Sequence, residues 1–138
     1  MSSGVAIAII ASDDFDLLSE VSLQESLSST WATLLVTANW YGSLVRESGS
    51  SGVKQLRISV LPEMDSEWAR TFGTSAANLA LSGSPLPPPI AVDKVGFSLY
   101  IMLRLAQGYL RTYAELAGKS FTEAVDELRG YYLRSLSE

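Results

Sequence analysis

The longest apolar segment of the chain lies between Val92 and Gly118, and its pattern predicts a helix that is buried on all sides. Within residues 95–103, only a glycine and a serine interrupt the apolar run. A surface helix would carry a polar face, so this stretch is expected to be covered by other elements all round. Gly118 is a typical helix stop. We expect a central helix near residues 94–117. Its fully buried positions should be Leu99, Leu103, Ala106 and Leu110.

A second helical pattern begins after Ser22, which forms a capping-box motif with Glu25. The predicted helix runs from Leu23 to about Arg46. Its main apolar stripe recurs at helical spacing: Leu23, Leu27, Trp31, Leu34, Leu35, Ala38, Tyr41 and Val45. A separate outer row lies among polar residues and consists of Val36, Trp40 and Leu44. Two apolar rows on one helix predict burial on two sides, and the second cover would be a strand pair of residues 5–11 and 53–61 or another subunit.

Three further helices are indicated by their start signals. Ser12 precedes a run of acids and predicts a short helix over residues 13–20. Pro62 opens a predicted helix that continues to about Leu81. Ser120 caps the last helix, which we expect to extend to about residue 136, and Glu123 completes a second capping box.

Two segments are predicted as strands. Val53–Leu61 alternates apolar and polar residues, which is typical of a half-buried strand. Val5–Ala11 is a short run of β-branched and small apolar residues, and periodicity alone does not separate a strand from a helix start there. A strand is favoured because Val53–Leu61 needs a partner. Flexible residues at 47–52 and a proline-rich crossing at 82–89 connect the neighbouring elements.

These patterns together predict a mainly α fold. The chain of 138 residues fits a single domain, 1–138. We expect a bundle of four to five helices around the buried helix near 94–117, with a minor two-stranded β element. The run at 5–11 lacks the basic residues of a signal peptide, and no apolar segment reaches the roughly 20 residues that span a bilayer. A soluble, cytoplasmic protein without membrane contact is therefore expected.

The residue types that are present limit the reactions and metal sites that the protein could support. The chain has no cysteine and no histidine, so thiolate catalysis and the commonest general base and metal ligand are missing. Asp13, Asp14 and Asp16 could offer oxygen ligands to magnesium, but acids at a helix start explain them better. We expect no enzyme activity, no catalytic residues, no metal site and no cofactor.

One face of the central helix is locally positive. Arg104 and Arg111 are seven positions apart on it, and no acid lies between Asp93 and Glu115. With Tyr100, these arginines could contact an anion or nucleic acid. The favoured interpretation is structural: a solvated edge, or a pair of salt bridges to the acidic N-terminal segment, where residues 1–45 contain five acids and no base. The net charge of −5 disfavours autonomous nucleic-acid binding.

The function predicted from these features is a non-catalytic assembly or protein-interaction subunit that is oligomeric. Its interface would be the outer row of Val36, Trp40 and Leu44, because tryptophan is enriched at interface hot spots. The partner would be a further copy of the chain or another protein. The alternative is a small helical subunit of a nucleic-acid-handling assembly, of the CRISPR effector or viral coat type. Such a subunit would bind nucleic acid only within the larger assembly.

Overall fold

A computed structural model of the protein describes residues 3–20, 22, 24–47, 56 and 60–137. Within these ranges the chain forms five α-helices, and the prediction of a mainly helical bundle is confirmed. The helices are α1 (Ser3–Ser12), α2 (Leu27–Glu47), α3 (Ser66–Leu81), α4 (Val95–Ala117) and α5 (Phe121–Ser137). Three short 3-10 helices lie at Phe15–Glu20, Gln24–Ser26 and Val92–Lys94.

Helix α4 is the centre of the bundle, as its apolar pattern predicts. It packs against each of the other four α-helices, and its most extensive contact is with α2. Leu99, Leu103, Ala106 and Leu110 are all 0% exposed, which confirms the predicted core positions. The helix ends where Gly118 takes the left-handed conformation with φ of 70°. The next amide, of Lys119, donates to the Ala114 carbonyl at 2.9 Å, so the end of α4 is closed by its own backbone.

The predicted strand at Val5–Ala11 is wrong, because these residues belong to α1. The helix packs against α2, α4 and α5, and Ala6, Ile7, Ile9 and Ile10 are at most 1% exposed. A segment enclosed by helices has no neighbouring strand to bond with, whereas a helix satisfies its backbone groups internally. Ser12 ends this helix, and its hydroxyl donates to the Ala8 carbonyl at 2.8 Å. The predicted short helix after it is a 3-10 helix that begins at Phe15.

The two-stranded element is not confirmed. No strand occurs in the part of the chain that the structure describes, and residues 53–55 and 57–59 of the predicted partner strand lie outside it. The loop residues 48–52 lie outside it as well. Leu56 is described, and its side chain packs on α4 at Gly108. A Cβ at Gly108 would lie 2.9 Å from the Leu56 Cδ1, so a larger residue at this position would require the end of the Leu56 side chain to shift.

The helix starts differ from prediction in two cases and agree in a third. Helix α2 begins at Leu27 rather than Leu23, after a 3-10 turn. Helix α3 begins after Asp65 rather than at Pro62, because the Asp65 carboxylate accepts the Trp68 amide at 3.0 Å and caps the helix there. The capping box of α5 is confirmed. Ser120 Oγ accepts the Glu123 amide at 3.1 Å, and a Glu123 carboxylate oxygen accepts the Ser120 amide at 3.2 Å.

The proline-rich crossing between α3 and α4 contains no helix or strand over residues 82–89. The crossing is bonded to α2, since the Trp31 indole N–H donates to the Ser84 carbonyl at 3.1 Å. This bond joins two segments 53 positions apart.

Candidate functional site

Three polar side chains join the end of α1 to the middle of α4, and we call Asp13, Arg104 and Gln107 the groove cluster. Arg104 Nη1 contacts Asp13 Oδ1 at 2.6 Å and Gln107 Oε1 at 3.1 Å. The Gln107 amide donates to the Asp13 carboxylate and to the Ile10 carbonyl, each at 3.0 Å. The second bond satisfies a carbonyl at the last turn of α1, so the cluster also caps that helix.

Aromatic rings surround the Arg104 guanidinium. Its central carbon lies 4.0 Å from the ring centroid of Phe15, and its Nε donates to the Tyr100 hydroxyl at 3.1 Å. The Phe15 and Tyr100 rings meet edge to face at 5.1 Å. This is the geometry of a cation–π contact combined with an ion pair. Of the alternatives predicted for Arg104, the observed contact is the salt bridge to the acidic N-terminal segment.

The environment of Asp13 favours its charged form. The hydrogen bond from Gln107 lowers the pKa of Asp13, and the nearby charge of Arg104 lowers it further, while partial burial acts in the opposite direction. Asp13 also has a positive φ of 60°, a conformation that aspartate tolerates better than most residues. Its carboxylate is therefore held as a structural anion, and this role differs from that of a magnesium ligand.

A groove of about 540 Å³ opens beside this cluster, between the 3-10 helix at Phe15–Glu20 and the first turns of α4. Its lining combines aromatic rings with carboxylates. The lining residues are Asp13, Asp14, Phe15, Asp16, Leu18, Leu61, Gly96, Phe97, Tyr100 and Arg104. Three carboxylates against one guanidinium leave a net charge of −2 at the groove.

A second cation–aromatic group lies next to the groove. The Lys94 ammonium is 5.3 Å from the Trp68 ring centroid and 5.8 Å from that of Phe97. Trp68 in turn stacks on Phe72 at 5.4 Å. The rings of this region therefore already present their faces to positive groups of the same chain.

The predicted pair Arg104 and Arg111 does not form one site. Arg104 is directed to Asp13, whereas Arg111 is exposed and lies 5.1 Å from the Phe121 ring of α5. Tyr100, the predicted third member, is 9% exposed and bonds to Arg104.

Val36, Trp40 and Leu44, the predicted interface row, are all half-buried. Trp40 packs against aromatic residues of two other helices, with ring centroids 5.4 Å from Tyr113 and 6.0 Å from Tyr131. Trp40 is thus covered on its inner side by α4 and α5. Tyr131 remains 37% exposed beside Trp40. We call Val36, Trp40, Leu44 and Tyr131 the outer patch.

A third polar group, the end cluster, consists of Tyr113, Lys119 and Glu127. The Tyr113 hydroxyl lies 2.9 and 2.8 Å from the two Glu127 carboxylate oxygens, and Lys119 Nζ contacts both partners. Burial raises the pKa of Tyr113, and the hydrogen bond to Glu127 adds to it. The hydrogen bond to Glu127 raises the pKa of Lys119. The cluster joins the end of α4 to α5.

Sequence reasoning missed the aromatic members of the groove. Phe15 and Phe97 lie 82 positions apart, and neither belongs to a motif. Gln107 was also missed, although a polar residue within the apolar α4 is a signal that could have identified it. Being 3% exposed, it needs buried partners, which α1 provides.

Two further features bear on the site. No grouping of three or more His, Cys, Asp or Glu side chains among the described residues is arranged to hold a metal ion. Among the helices of the described ranges, none combines the length and apolar character needed to cross a bilayer.

Comparison of the chain with protein-family models, curated proteins and solved structures finds no match.

Proposed function

We propose that the protein is a non-catalytic assembly subunit that associates with further copies of itself through the outer patch. The observation that supports this most directly is the position of Trp40. Its ring rests on Tyr113 and Tyr131, yet it and its neighbours Val36 and Leu44 are not fully covered by the chain. A rigid, half-buried tryptophan flanked by aliphatic and aromatic side chains is a typical anchor of a protein interface.

The polar clusters support a structural role rather than a catalytic one. In the groove cluster each side chain bonds to the other two, and Gln107 also bonds to the backbone of α1. In the end cluster the same holds for Tyr113, Lys119 and Glu127. Such mutual pairing joins neighbouring helices, which is the structural role that the proposal gives to these clusters.

The experiment is analytical ultracentrifugation of the wild type and of charge substitutions in the outer patch. Wild type should sediment as an oligomer, and Trp40→Glu and Tyr131→Glu should lower its mass while the circular dichroism spectrum stays helical. A charge at a desolvated interface is costly, which is the reason for the expected dissociation. Leu86→Glu is the matched control, because Leu86 is 72% exposed and lies on the proline-rich crossing.

Two outcomes would contradict the proposal. A wild type that stays monomeric at the highest attainable concentration would exclude self-association and leave another protein as the partner. Unfolding of both Trp40→Glu and Tyr131→Glu would assign the patch to the core of the bundle, since an unpaired buried charge destabilises a fold.

The nucleic-acid alternative has weaker support. Arg104 is ion-paired to Asp13, Tyr100 is nearly buried, and only Arg111 of the three presents an exposed charge. With a net charge of −5, the isolated protein should not bind a single-stranded oligonucleotide in physiological salt. Submicromolar binding that Arg111→Ala abolishes, measured by fluorescence anisotropy, would make this alternative the better proposal.

A further inference from the structure

We propose that the groove beside Arg104 binds an arginine side chain of a partner peptide segment. This site is separate from the outer patch and does not depend on self-association. It has the three features that recognise a guanidinium: aromatic faces, carboxylates and a cleft open at the surface. The aromatic faces belong to Phe15, Phe97 and Tyr100, and the carboxylates that are not part of the groove cluster belong to Asp14 and Asp16.

The chain itself demonstrates how a guanidinium is held in this groove. The Arg104 central carbon lies 4.0 Å from the ring centroid of Phe15 and 5.3 Å from that of Tyr100, and the guanidinium contacts the Asp13 carboxylate at 2.6 Å. A planar guanidinium combines ring contacts with directional bonds to a carboxylate, which a lysine ammonium does less well. Two rings and one carboxylate of the groove are therefore occupied by this internal arginine.

The remaining part of the groove repeats the same combination. Phe97 forms a half-buried aromatic wall beside Gly96, which contributes no side chain, and Asp14 is exposed at the rim. Lys94 lies at 5.8 Å from the Phe97 centroid and outside the groove lining. Among the residues that the structure describes here, the negative groups are in the majority even when the charge of Lys94 is counted.

The net negative charge of the groove favours a cationic ligand. A phosphate or carboxylate ligand would meet three aspartates and one arginine that is already ion-paired. A neutral apolar side chain would leave the rim carboxylates unused. An arginine on a peptide matches both the rings and the net charge of −2.

The test uses a short peptide, acetyl-Gly-Ala-Arg-Ala-Gly-amide, titrated into the full chain and followed by the amide signals in ¹H–¹⁵N NMR spectra. We expect saturable shifts at Asp14, Gly96 and Phe97, weakening with added salt because the rim is exposed. The same peptide with citrulline has nearly the same shape but no charge. It should bind about three- to thirtyfold more weakly, since an exposed cation–π contact and an ion pair are lost.

Matched substitutions separate this site from general attraction to an acidic protein. Asp14→Asn should weaken binding by about 1.5- to fivefold, and Phe97→Leu by about two- to fivefold. Glu115→Gln removes the same charge near the other end of α4 and should leave binding unchanged. The spectra of each variant outside the groove report whether its fold is intact.

The proposal is overturned if the citrulline peptide binds as tightly as the arginine peptide. It is also overturned if the shifts lie away from the groove, or if Glu115→Gln weakens binding as much as Asp14→Asn. The oligomeric state is measured separately, by analytical ultracentrifugation. A negative peptide titration therefore does not bear on the outer patch, and a monomeric wild type does not bear on the groove.

Discussion

The groove cluster and the end cluster both place a charge pair against an aromatic ring on α4, but they connect very different parts of the chain. In the groove cluster, Arg104 and Asp13 are 91 positions apart, and Gln107 and Ile10 are 97 apart. In the end cluster, the partners of Tyr113 are 6 and 14 positions away. The groove cluster therefore forms only when α1 docks on α4, whereas the end cluster follows from the turn between α4 and α5.

The ion pairs of the two clusters are similarly exposed, with side-chain exposures of 28% and 53% for Arg104 and Asp13 and 34% each for Lys119 and Glu127. The groove cluster also contains a buried amide, since Gln107 is 3% exposed. Removing a buried group leaves its partners without water, whereas exposed partners can be rehydrated. Through Gln107 the groove cluster should contribute to the stability of the whole bundle, whereas the ion pair of the end cluster should contribute mainly to the local end of α4.

The largest effect is expected from a substitution in the core of α4, the helix that carries members of both clusters. Leu103 is 0% exposed in α4, and Leu103→Ala should reduce the free energy of unfolding by about 2–5 kcal/mol through lost burial and a cavity. Urea denaturation followed by circular dichroism measures it. Leu116→Ala is the control, since Leu116 is 50% exposed on the same helix. A cost below about 1 kcal/mol for Leu103→Ala would mean that α4 is not the core.

The next largest effect on stability should distinguish the two clusters. Gln107→Met keeps the side-chain size but removes the bonds to the Ile10 carbonyl of α1, to Asp13 and to Arg104, so all three groups lose a buried partner. We expect a loss of about 1–3 kcal/mol in the free energy of unfolding. Glu127→Gln in the end cluster should cost less than about 1 kcal/mol, because its ion pair is partly exposed.

Both values come from urea denaturation under identical conditions. Hydrogen exchange adds a spatial readout, since Gln107→Met should accelerate exchange in α1 and Glu127→Gln only near the turn at residues 118–120. Equal costs for the two substitutions would mean that the contact between α1 and α4 is no more important than the local turn.

The smallest expected effect is on the pH dependence of stability, which should also differ between the two clusters. The pKa values of Asp13 and Glu127 are lowered. For Glu127 the effect of burial is the largest and raises the pKa, but bonds from Lys119 and Tyr113 together outweigh it. Groups with a lowered pKa stabilise the fold above the ordinary values of 3.8 and 4.5, and this stabilisation is lost as the pH falls.

At alkaline pH the end cluster contributes through two of its members. The pKa values of Lys119 and Tyr113 are raised, so their stabilisation is present below the ordinary values of 10.5 and 10.0 and is lost as the pH rises. Asp13→Asn should therefore flatten the acid side of a stability–pH curve, and Tyr113→Phe the alkaline side. Some alkaline slope will remain in Tyr113→Phe, because burial raises the pKa of Tyr109 to about 12. A flattened alkaline side in Asp13→Asn would contradict the assignment.

Much of the helical fold could be predicted from local signals. The central helix was identified by its apolar run, its end by Gly118, and the start of α5 by Ser120 and Glu123. Each of these is a property of a few neighbouring residues, such as a left-handed glycine or a reciprocal cap. Where a competing cap existed, as at Asp65 against Pro62, the sequence pattern placed the boundary several residues early.

The contacts between segments distant in the chain could not be predicted from local signals. The apolar pattern of residues 5–11 fits a strand and a helix equally well. These residues form a helix that packs against α2, α4 and α5. Arg104 could have faced solvent, an anion or an acid, and the docking of α1 brings Asp13 to it. The groove joins Phe15 to Phe97 across 82 positions. Spacing along the chain determines local hydrogen bonds, whereas contacts between distant residues depend on how the helices pack, and periodicity does not encode that packing.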